Sequence, residues 1–405
     1  MLQPPLQALL RPLLLTENFP PGRGGMAQSC DRIVRALRGS GVSVDVAHFS
    51  ARASDLQITQ QSGGRLFTCP VEADPGHAIN LLWNALEQSA EPPTHVVAFG
   101  GLLPLLAAPA FAAWLQQPLI VLLRGNDFDT GIVSLRRGWV LRDALARACR
   151  VGVVTQDHQR KVAALFPATP VQWIPNSIDA NEWQLHDFDR QRAQAWRQAT
   201  VASGRRVIGL FGQLKQKKGG TLLLEALRQS GDAARIHLLV VGDIEPAMQA
   251  PLAAATEFAG VTHIPFVDRF ELLPWYAACD LLALPSHYDG MPNVVLEAAA
   301  LGIPLLASNV GGMADLLIDG DNALTFAPGD LHQCRQALTR AAELPDATLR
   351  RMGERLQAEV LSRFRPQDEL SGYRKLLQET ARPLATQPIP LNVPLHGPRT
   401  AHRSV

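Results

Sequence analysis

The sequence predicts an α/β protein of two doubly wound, mostly parallel sheets, and three observations point there. Near the start, a short apolar strand (12–16), a loop ending in Gly24 and Gly25, an amphipathic segment to Arg38 and a second strand (42–49) follow in the order that opens a doubly wound domain. Far downstream the alternation returns. The apolar run 280–285 is stopped by Pro285, as in a strand covered on both faces, and a Gly/Pro loop, a short apolar helix and another strand come next. Finally, 405 residues, 47% of them hydrophobic and 19% charged, suffice for two or three domains with cores of their own.

Between these landmarks, strands are expected at 94–99, 119–123 and 151–155, with helical segments near 77–88, 104–116 and 139–149. Residues 183–204 are polar and lack sheet patterning, which places a linker between a first domain (1–182) and a second (205–365). The second domain opens on a strand ending at Phe211 and continues with strands at 238–241 and 261–267. After the 280–308 stretch, helices are expected over 330–342, 347–363 and 366–380. Residues 382–405 are rich in Pro, Thr and His without periodicity and are expected to form a disordered tail.

Composition excludes several classes. A net charge of +1 without a block of like charge gives nucleic acid no footprint. The five cysteines (Cys30, Cys69, Cys149, Cys279 and Cys334) are an odd number without metal-ligand spacing, as expected of reduced thiols in a cytoplasmic protein. No apolar run reaches the ~18–20 residues that span a bilayer. The apolar start, broken by Pro4, Pro5 and Pro12 and holding Arg11, lacks the basic region of a signal peptide. Arg136, Arg137, Arg142, Arg147 and Arg150 crowd around Trp139 and Leu141. A basic helix over 136–150 could lie on an anionic membrane, and a solvated helix face is the alternative.

The chemistry gathers on four loops. After the strand at 280–285, Gly290 and Pro292 break the chain and Asn293 can cap a helix carrying Glu297. The turn of Gly290, Met291, Pro292 and Asn293 therefore presents a helix start, whose free amides and positive dipole end suit a phosphate. Two acids flank it, Asp289 and Glu297. A second loop follows Phe211 with Gln213, Lys215, Lys217 and Lys218. Gly24 and Gly25 form a third, where backbone can approach an anion or simply turn. The fourth is Arg124-Gly-Asn-Asp-Phe-Asp129, at the carboxyl end of a strand.

Ser286, Asp289-Gly-x-Pro-Asn, Glu297-Ala, Gly302-x-Pro304 and Gly311-Gly312 together resemble the donor-sugar signature of glycosyltransferase family 4, retaining nucleotide-sugar enzymes of the GT-B fold. The family has glutamate, seven residues, glutamate; here Asp289 stands first. Gln172-Trp-Ile-Pro-Asn-Ser-Ile-Asp179 is similar to the family's Ile-Pro-Asn-Gly-Val-Asp. The family's Gly-Arg-Leu-x-x-x-Lys-Gly has its lysine in Lys218, with Gln213 for the arginine. Arg124 replaces the histidine of His-Gly-x-Asp, and Asp315 the glutamate of Gly-Gly-x-x-Glu. The resemblance covers about 12–380. It implies two Rossmann-like doubly wound domains facing each other across a cleft, acceptor on the first and donor on the second, with a final helix (366–380) crossing back to domain one.

The resemblance further implies transfer of a sugar from a UDP- or GDP-linked donor to an acceptor hydroxyl on a glycan, a lipid-linked chain or a small molecule, with retention. Glu297 would accept from the two ribose hydroxyls, and the 290–293 turn with Lys218 would hold the diphosphate, bordered by Gly24 and Gly25. Gln213 would donate a hydrogen bond, Phe266 and Val267 would lie against the base, and Asp289 would accept from the transferred sugar. Arg124 would clamp a phosphate or an acidic acceptor, or else tie its loop to Asp127 or Asp129. No metal or cofactor is expected, since the helix start and basic side chains take the charge. The expected setting is cytoplasmic, at the inner membrane face if the 136–150 helix docks. A GT-B nucleotide-sugar epimerase and a non-catalytic sugar-nucleotide binder are the alternatives, the latter kept open by the departures at Arg124, Gln213, Asp289 and Asp315.

Overall fold

The first half of the chain alternates strand and helix as its apolar runs require. In order it forms β1 (Pro12–Thr16), α1 (Gly25–Gly39), β2 (Asp45–Ser50), β3 (Gln57–Gln61), β4 (Gly64–Pro70) and α2 (Pro75–Glu87). Then come β5 (His95–Phe99), α3 (Leu102–Leu115), β6 (Leu119–Leu123), α4 (Asp127–Gly131) and α5 (Gly138–Arg147). β7 (Arg150–Val153), α6 (Gln156–Leu165) and β8 (Val171–Trp173) complete this half. The structure, a computed structural model, describes residues 10–380 apart from 23, 72, 73 and 126. The tail expected at 382–405 lies outside the described residues.

The strand order is β3-β4-β2-β1-β5-β6-β7-β8, parallel except for β3 against β4. β1, β5 and β6 are buried along their whole length, because helices cover both faces of a parallel sheet. The β3–β4 hairpin is absent from the sequence-based expectation. β3 reads Gln-Ile-Thr-Gln-Gln, lies exposed at the sheet edge and has no apolar alternation to announce it. The basic helix expected at 136–150 is shorter. α5 stops at Arg147, Ala148 is extended, and Arg150 already pairs with Ile120 in the sheet.

Most of the stretch expected as a linker is helical, α7 (Asp187–Thr200). Its Ala193 and Trp196 pack with Val207, Leu239 and Trp275, and Arg197 donates to the Ala278 carbonyl at 2.8 Å, which docks α7 on the second sheet. That sheet is built from β9 (Arg206–Phe211), α8 (Gly220–Ser230), β10 (Ile236–Val241), α9 (Pro246–Ala255) and β11 (Gly260–Ile264). It continues through α10 (Leu273–Ala277), β12 (Leu281–Leu284), α11 (Asn293–Ala300), β13 (Leu305–Ser308), α12 (Gly311–Ala314) and β14 (Ala323–Phe326). The closing helices are α13 (Leu331–Glu343), α14 (Asp346–Arg363) and α15 (Pro366–Gln378). The strand expected at 261–267 ends at Ile264, since Pro265 has no amide to give.

The second sheet runs β11-β10-β9-β12-β13-β14, all parallel. Strand order reverses between β1 and β5 in the first sheet and between β9 and β12 in the second. At such a switch point the loops leaving the carboxyl ends diverge and open a crevice. The loop with Gly24 and Gly25 follows β1, the lysine loop follows β9 and the Asp289 turn follows β12, so the fold delivers all three to crevices. α15 crosses back to the first domain, where Tyr373, Leu376 and Leu377 pack with Leu14, Ile33, Leu37 and Val97. A second apolar seam joins the domains: Val154, Ile178 and Trp183 share a cluster with Met291, Val295 and Leu296.

Candidate active site

The turn from Asp289 to Asn293 is set by what surrounds it. A Cβ on Gly290 would meet Val154 Cγ1 at 3.1 Å and the Arg124 carbonyl oxygen at 3.2 Å, so the turn lies flush on the carboxyl ends of β6 and β7. Beneath it, the Gly312 amide donates to the Gly290 carbonyl at 2.7 Å. Pro292 occupies the cap position of α11 with φ −63° and ψ 132° and makes no side-chain cap; the Val295 amide donates back to the Pro292 carbonyl at 3.1 Å, which leaves the Asn293 and Val294 amides open at the helix start. Asn293, expected as the cap, is instead the first helical residue, because Pro292 already supplies the extended geometry of a cap. Its side-chain nitrogen approaches the Gly25 carbonyl and Gln28 Oε1, each at 3.5 Å. Gly25 thereby faces the α11 start across the cleft, while no atom lies within 4 Å of where a Cβ on Gly24 would stand.

Lys218 reaches the same turn, its Nζ 3.8 Å from Asp289 Oδ2. The approach requires glycine at 219. That residue has φ +74°, and a Cβ on it would lie 1.8 Å from the Pro285 carbonyl oxygen. Burial raises the pKa of Asp289, opposed by Lys218, the Gly290 amide, Lys217 and the Ser286 hydroxyl. These partners come from the turn itself and from the lysine loop after β9, and α11 does not use the Asp289 carboxylate as a cap. Lys215 has its pKa lowered by burial and by Lys217. Gln213 is exposed on the turn after β9.

Glu297 has a partner that sequence reasoning missed. Tyr276, fully buried, donates its hydroxyl to Glu297 Oε2 at 2.6 Å. The tyrosine ring is fixed by stacking on Phe211, centroids 4.2 Å apart, and by an edge contact with Trp183. One carboxylate oxygen is thus oriented and the other stays available to a ligand. Burial raises the pKa of Glu297, opposed by the Tyr276 hydrogen bond and by Arg269 and Arg32. The available signal was a tyrosine on a short apolar helix, which needs a buried acceptor for its hydroxyl.

Other expected residues lie elsewhere. Arg124 is 4% exposed and does not face the cleft; nor does it pair with Asp127 or Asp129. Its guanidinium donates to the Ile174 carbonyl at 2.6 Å, to Asn176 Oδ1 and to Glu369 Oε1 at 3.2 Å. A clamp on a ligand phosphate is not what this conformation offers, because the group is enclosed by α15, which no local sequence feature places there. Phe266 is exposed on the loop after β11, while Val267 packs beside Trp196 and Trp275. Asp315 Oδ2 accepts from the Gln156 amide at 2.8 Å, one domain capping a helix of the other. Among the described residues, no group of three or more His, Cys, Asp or Glu side chains could hold a metal ion, and no helix is long and apolar enough to cross a membrane.

Two family models match the chain: a glycosyl transferase 4-like domain over residues 24–177 and glycosyl transferases group 1 over residues 205–343. Glycogen synthase of Mycobacterium tuberculosis is 31% identical over 186 residues, 44% of this chain and 41% of the synthase. The chain thus spans well under half the length of that relative. The GDP-mannose-dependent alpha-(1-6)-phosphatidylinositol monomannoside mannosyltransferase of the same species is 24% identical over 76% of this chain and 85% of its own. Among solved structures, Anabaena HepE in complex with UDP-glucose superposes with a TM-score of 0.72 at 18% identity, covering 91% of this chain and all of that one.

Proposed function

We propose, for a chain that belongs to the glycosyltransferases built of a 4-like and a group 1 domain, that it moves a sugar from a nucleotide-diphosphate sugar to an acceptor hydroxyl with retention of configuration. The observation that carries this reading is one turn at the second sheet's switch point. An uncapped helix start and Lys218 meet there beside Asp289, and Glu297, held by Tyr276, lies one turn along the same helix. The open amides and Lys218 stabilise the negative charge that develops on the departing diphosphate, where most of the rate enhancement arises. Glu297 accepts from the ribose and Asp289 from the transferred sugar. The acceptor enters from the first domain, and the leaving phosphate oxygen takes its proton on the same face of the sugar. No metal and no cofactor enters this scheme. UDP- and GDP-linked donors both belong in the test, since one relative is named for GDP-mannose and one structural neighbour holds UDP-glucose.

A thermal-shift panel of nucleoside diphosphates identifies the base, since a ligand at 100 times its dissociation constant adds about 2.7 kcal/mol. The matching nucleotide sugars are then assayed with and without acceptors. Acceptor-dependent release of nucleoside diphosphate supports transfer. Conversion of the donor sugar without acceptor identifies an epimerase, and binding without turnover a non-catalytic binder; either result overturns the proposal.

One surface favours an acceptor presented at a membrane. Val133, Leu135 and Trp139 are 79%, 100% and 62% exposed, with Arg136, Arg137 and Arg142 exposed around them. The patch follows α4, which begins just past the carboxyl end of β6, on the acceptor side of the cleft. Arg147 and Arg150 are held by Asp143 and Glu379 and lie outside it. Apolar tips ringed by arginine suit the interface of an anionic bilayer. Cosedimentation with phosphatidylglycerol vesicles, but not with phosphatidylcholine vesicles, and its loss in Leu135→Asp are expected. Equal pelleting of the variant would remove the patch from membrane binding.

A further inference from the structure

Behind the donor turn lies a buried polar cluster that the catalytic scheme does not use. Glu369 of α15, 5% exposed, accepts from Arg32 Nε and Nη2, each at 3.0 Å, from Arg124 Nη2 at 3.2 Å and from the Ser177 hydroxyl at 2.6 Å. Asn176, 3% exposed, accepts through Oδ1 from Arg124 and from Arg32 Nη2 at 3.2 Å. Through Nδ2 it donates to the Met291 carbonyl at 2.8 Å. The amide can take only this orientation, because a reversed Asn176 would set its nitrogen against two guanidiniums and its oxygen against a carbonyl.

We propose that Asn176 and Glu369 are positioning residues of the donor site, an inference that rests on the donor reading above. The Met291 carbonyl immediately precedes Pro292, the cap of α11. Holding it fixes the direction in which the helix start presents its amides. Asn176 is in turn fixed by Arg32 and Arg124, and both arginines are gripped by Glu369. Three regions that shape the donor site therefore meet at one side chain: α1 behind Gly25, the end of β6 under Gly290, and the turn itself. The helix that crosses back between domains thereby sets the geometry of the phosphate cradle. The charges agree with this role. Two guanidiniums share one carboxylate, which leaves a positive charge behind the turn that receives a diphosphate and where Gln213 supplies none. Glu369 stays ionised there: burial raises its pKa, but Arg32 and Arg124 outweigh burial and hold it below the ordinary value.

The test uses the full chain and whichever of UDP and GDP the wild type binds. Asn176→Asp keeps the side chain's size and still accepts from both arginines, but sets an oxygen against the Met291 carbonyl. Its expected effect is an about tenfold rise in the dissociation constant by calorimetry, about 1.4 kcal/mol, with a matching rise in donor KM and an unchanged acceptor KM. Asn176→Ser, which releases Met291 without adding charge, repeats the measurement should the aspartate variant not fold. Ser177→Ala removes a Glu369 partner without touching the turn and is expected to melt earlier yet bind the nucleotide normally. Wild-type affinity and donor KM in a folded Asn176 variant would overturn the inference while leaving the donor site standing. Failure of the wild type to bind either nucleotide would instead remove the donor site, and this inference with it.

Discussion

Glu297→Gln isolates the proposed ribose contact from the fold that presents it. In the wild type, Glu297 Oε2 is engaged by the Tyr276 hydroxyl at 2.6 Å and the other oxygen is left for a ligand. Glutamine can keep the tyrosine bond through its carbonyl oxygen, which turns an NH2 group toward the ligand, a donor where two hydroxyls need an acceptor. Hydrogen bonds to a charged group contribute about 1.5–3 kcal/mol, so donor affinity should fall by about 10- to 150-fold. Stability should hold, because the tyrosine keeps its partner. Glu297→Ala, by contrast, strands the buried Tyr276 hydroxyl and should cost about 1–3 kcal/mol of stability as well. Calorimetry with UDP and GDP, paired with thermal melts, separates the two. A folded Gln variant with wild-type affinity for the nucleotide would refute the assignment.

The same carboxylate gives a pH signature. Burial raises its pKa above the ordinary 4.5, with Tyr276 opposing. Only the ionised form accepts from both hydroxyls, so wild-type donor binding should weaken as pH falls through that raised value, and the Gln variant should lack this limb. Stability runs the other way. A carboxyl whose folded pKa exceeds its unfolded one holds its proton more tightly in the folded state. Its contribution is greatest below the unfolded value and is lost as pH rises through the folded one. Ligand-free Glu297→Gln should therefore gain on the wild type over that interval as pH is raised.

Asp289→Asn should depress turnover about 100-fold or more, because the amide can neither pair with Lys218 nor accept fully from the sugar; Asp289→Glu should be milder, and wild-type kinetics in the Asn variant would exclude a catalytic part for Asp289. Turnover should survive EDTA, as Lys218 and the α11 start take the charge. Loss of activity restored by magnesium or manganese would show that this charge balance is wrong. Asp315→Ala should lower stability by about 1 kcal/mol in denaturant titration through loss of the bond to the Gln156 amide, while Asp315→Asn, still an acceptor, should be nearly silent.

Local chemistry was legible in the sequence wherever one short segment carried it. The 119–123 run, apolar on both faces and short, reads as a strand and is one, buried throughout, and Asp330 before an amphipathic run marks a helix start that the structure confirms, accepting from the Gln333 amide at 2.9 Å. The turn with Gly290 and Pro292 announced itself by residues that permit close backbone approach. What stayed hidden depends on pairings between distant segments. β3 is exposed and stands only because β4 pairs with it. Tyr276 meets Glu297 from another helix. Arg124 looks like a loop cation until Glu369, 245 residues away, is brought to it by α15.

The departures from the family pattern make physical sense together. With Gln213 for arginine, the loop after β9 relies on its lysines, and Lys218 must lie close to the turn; glycine at 219 permits that approach to β12. Lysine is a point charge on a flexible stem, so a nearby carboxylate is needed to aim it. Asp289, one methylene shorter than glutamate, stays by the turn at 3.8 Å from Lys218 and is braced by Ser286 and the Gly290 amide. The arginine that replaces the family's histidine, Arg124, is drawn behind the turn with Arg32, and the two leave one positive charge beyond what Glu369 neutralises. Positive charge missing at the mouth of the site is thus present behind it, where water screens it less. On this account Arg124→His would not recreate a relative's sugar contact. It would strip a buried guanidinium from Asn176 and Glu369 and should weaken donor binding together with the fold, whereas a stable variant with improved turnover would show that position 124 faces the sugar after all.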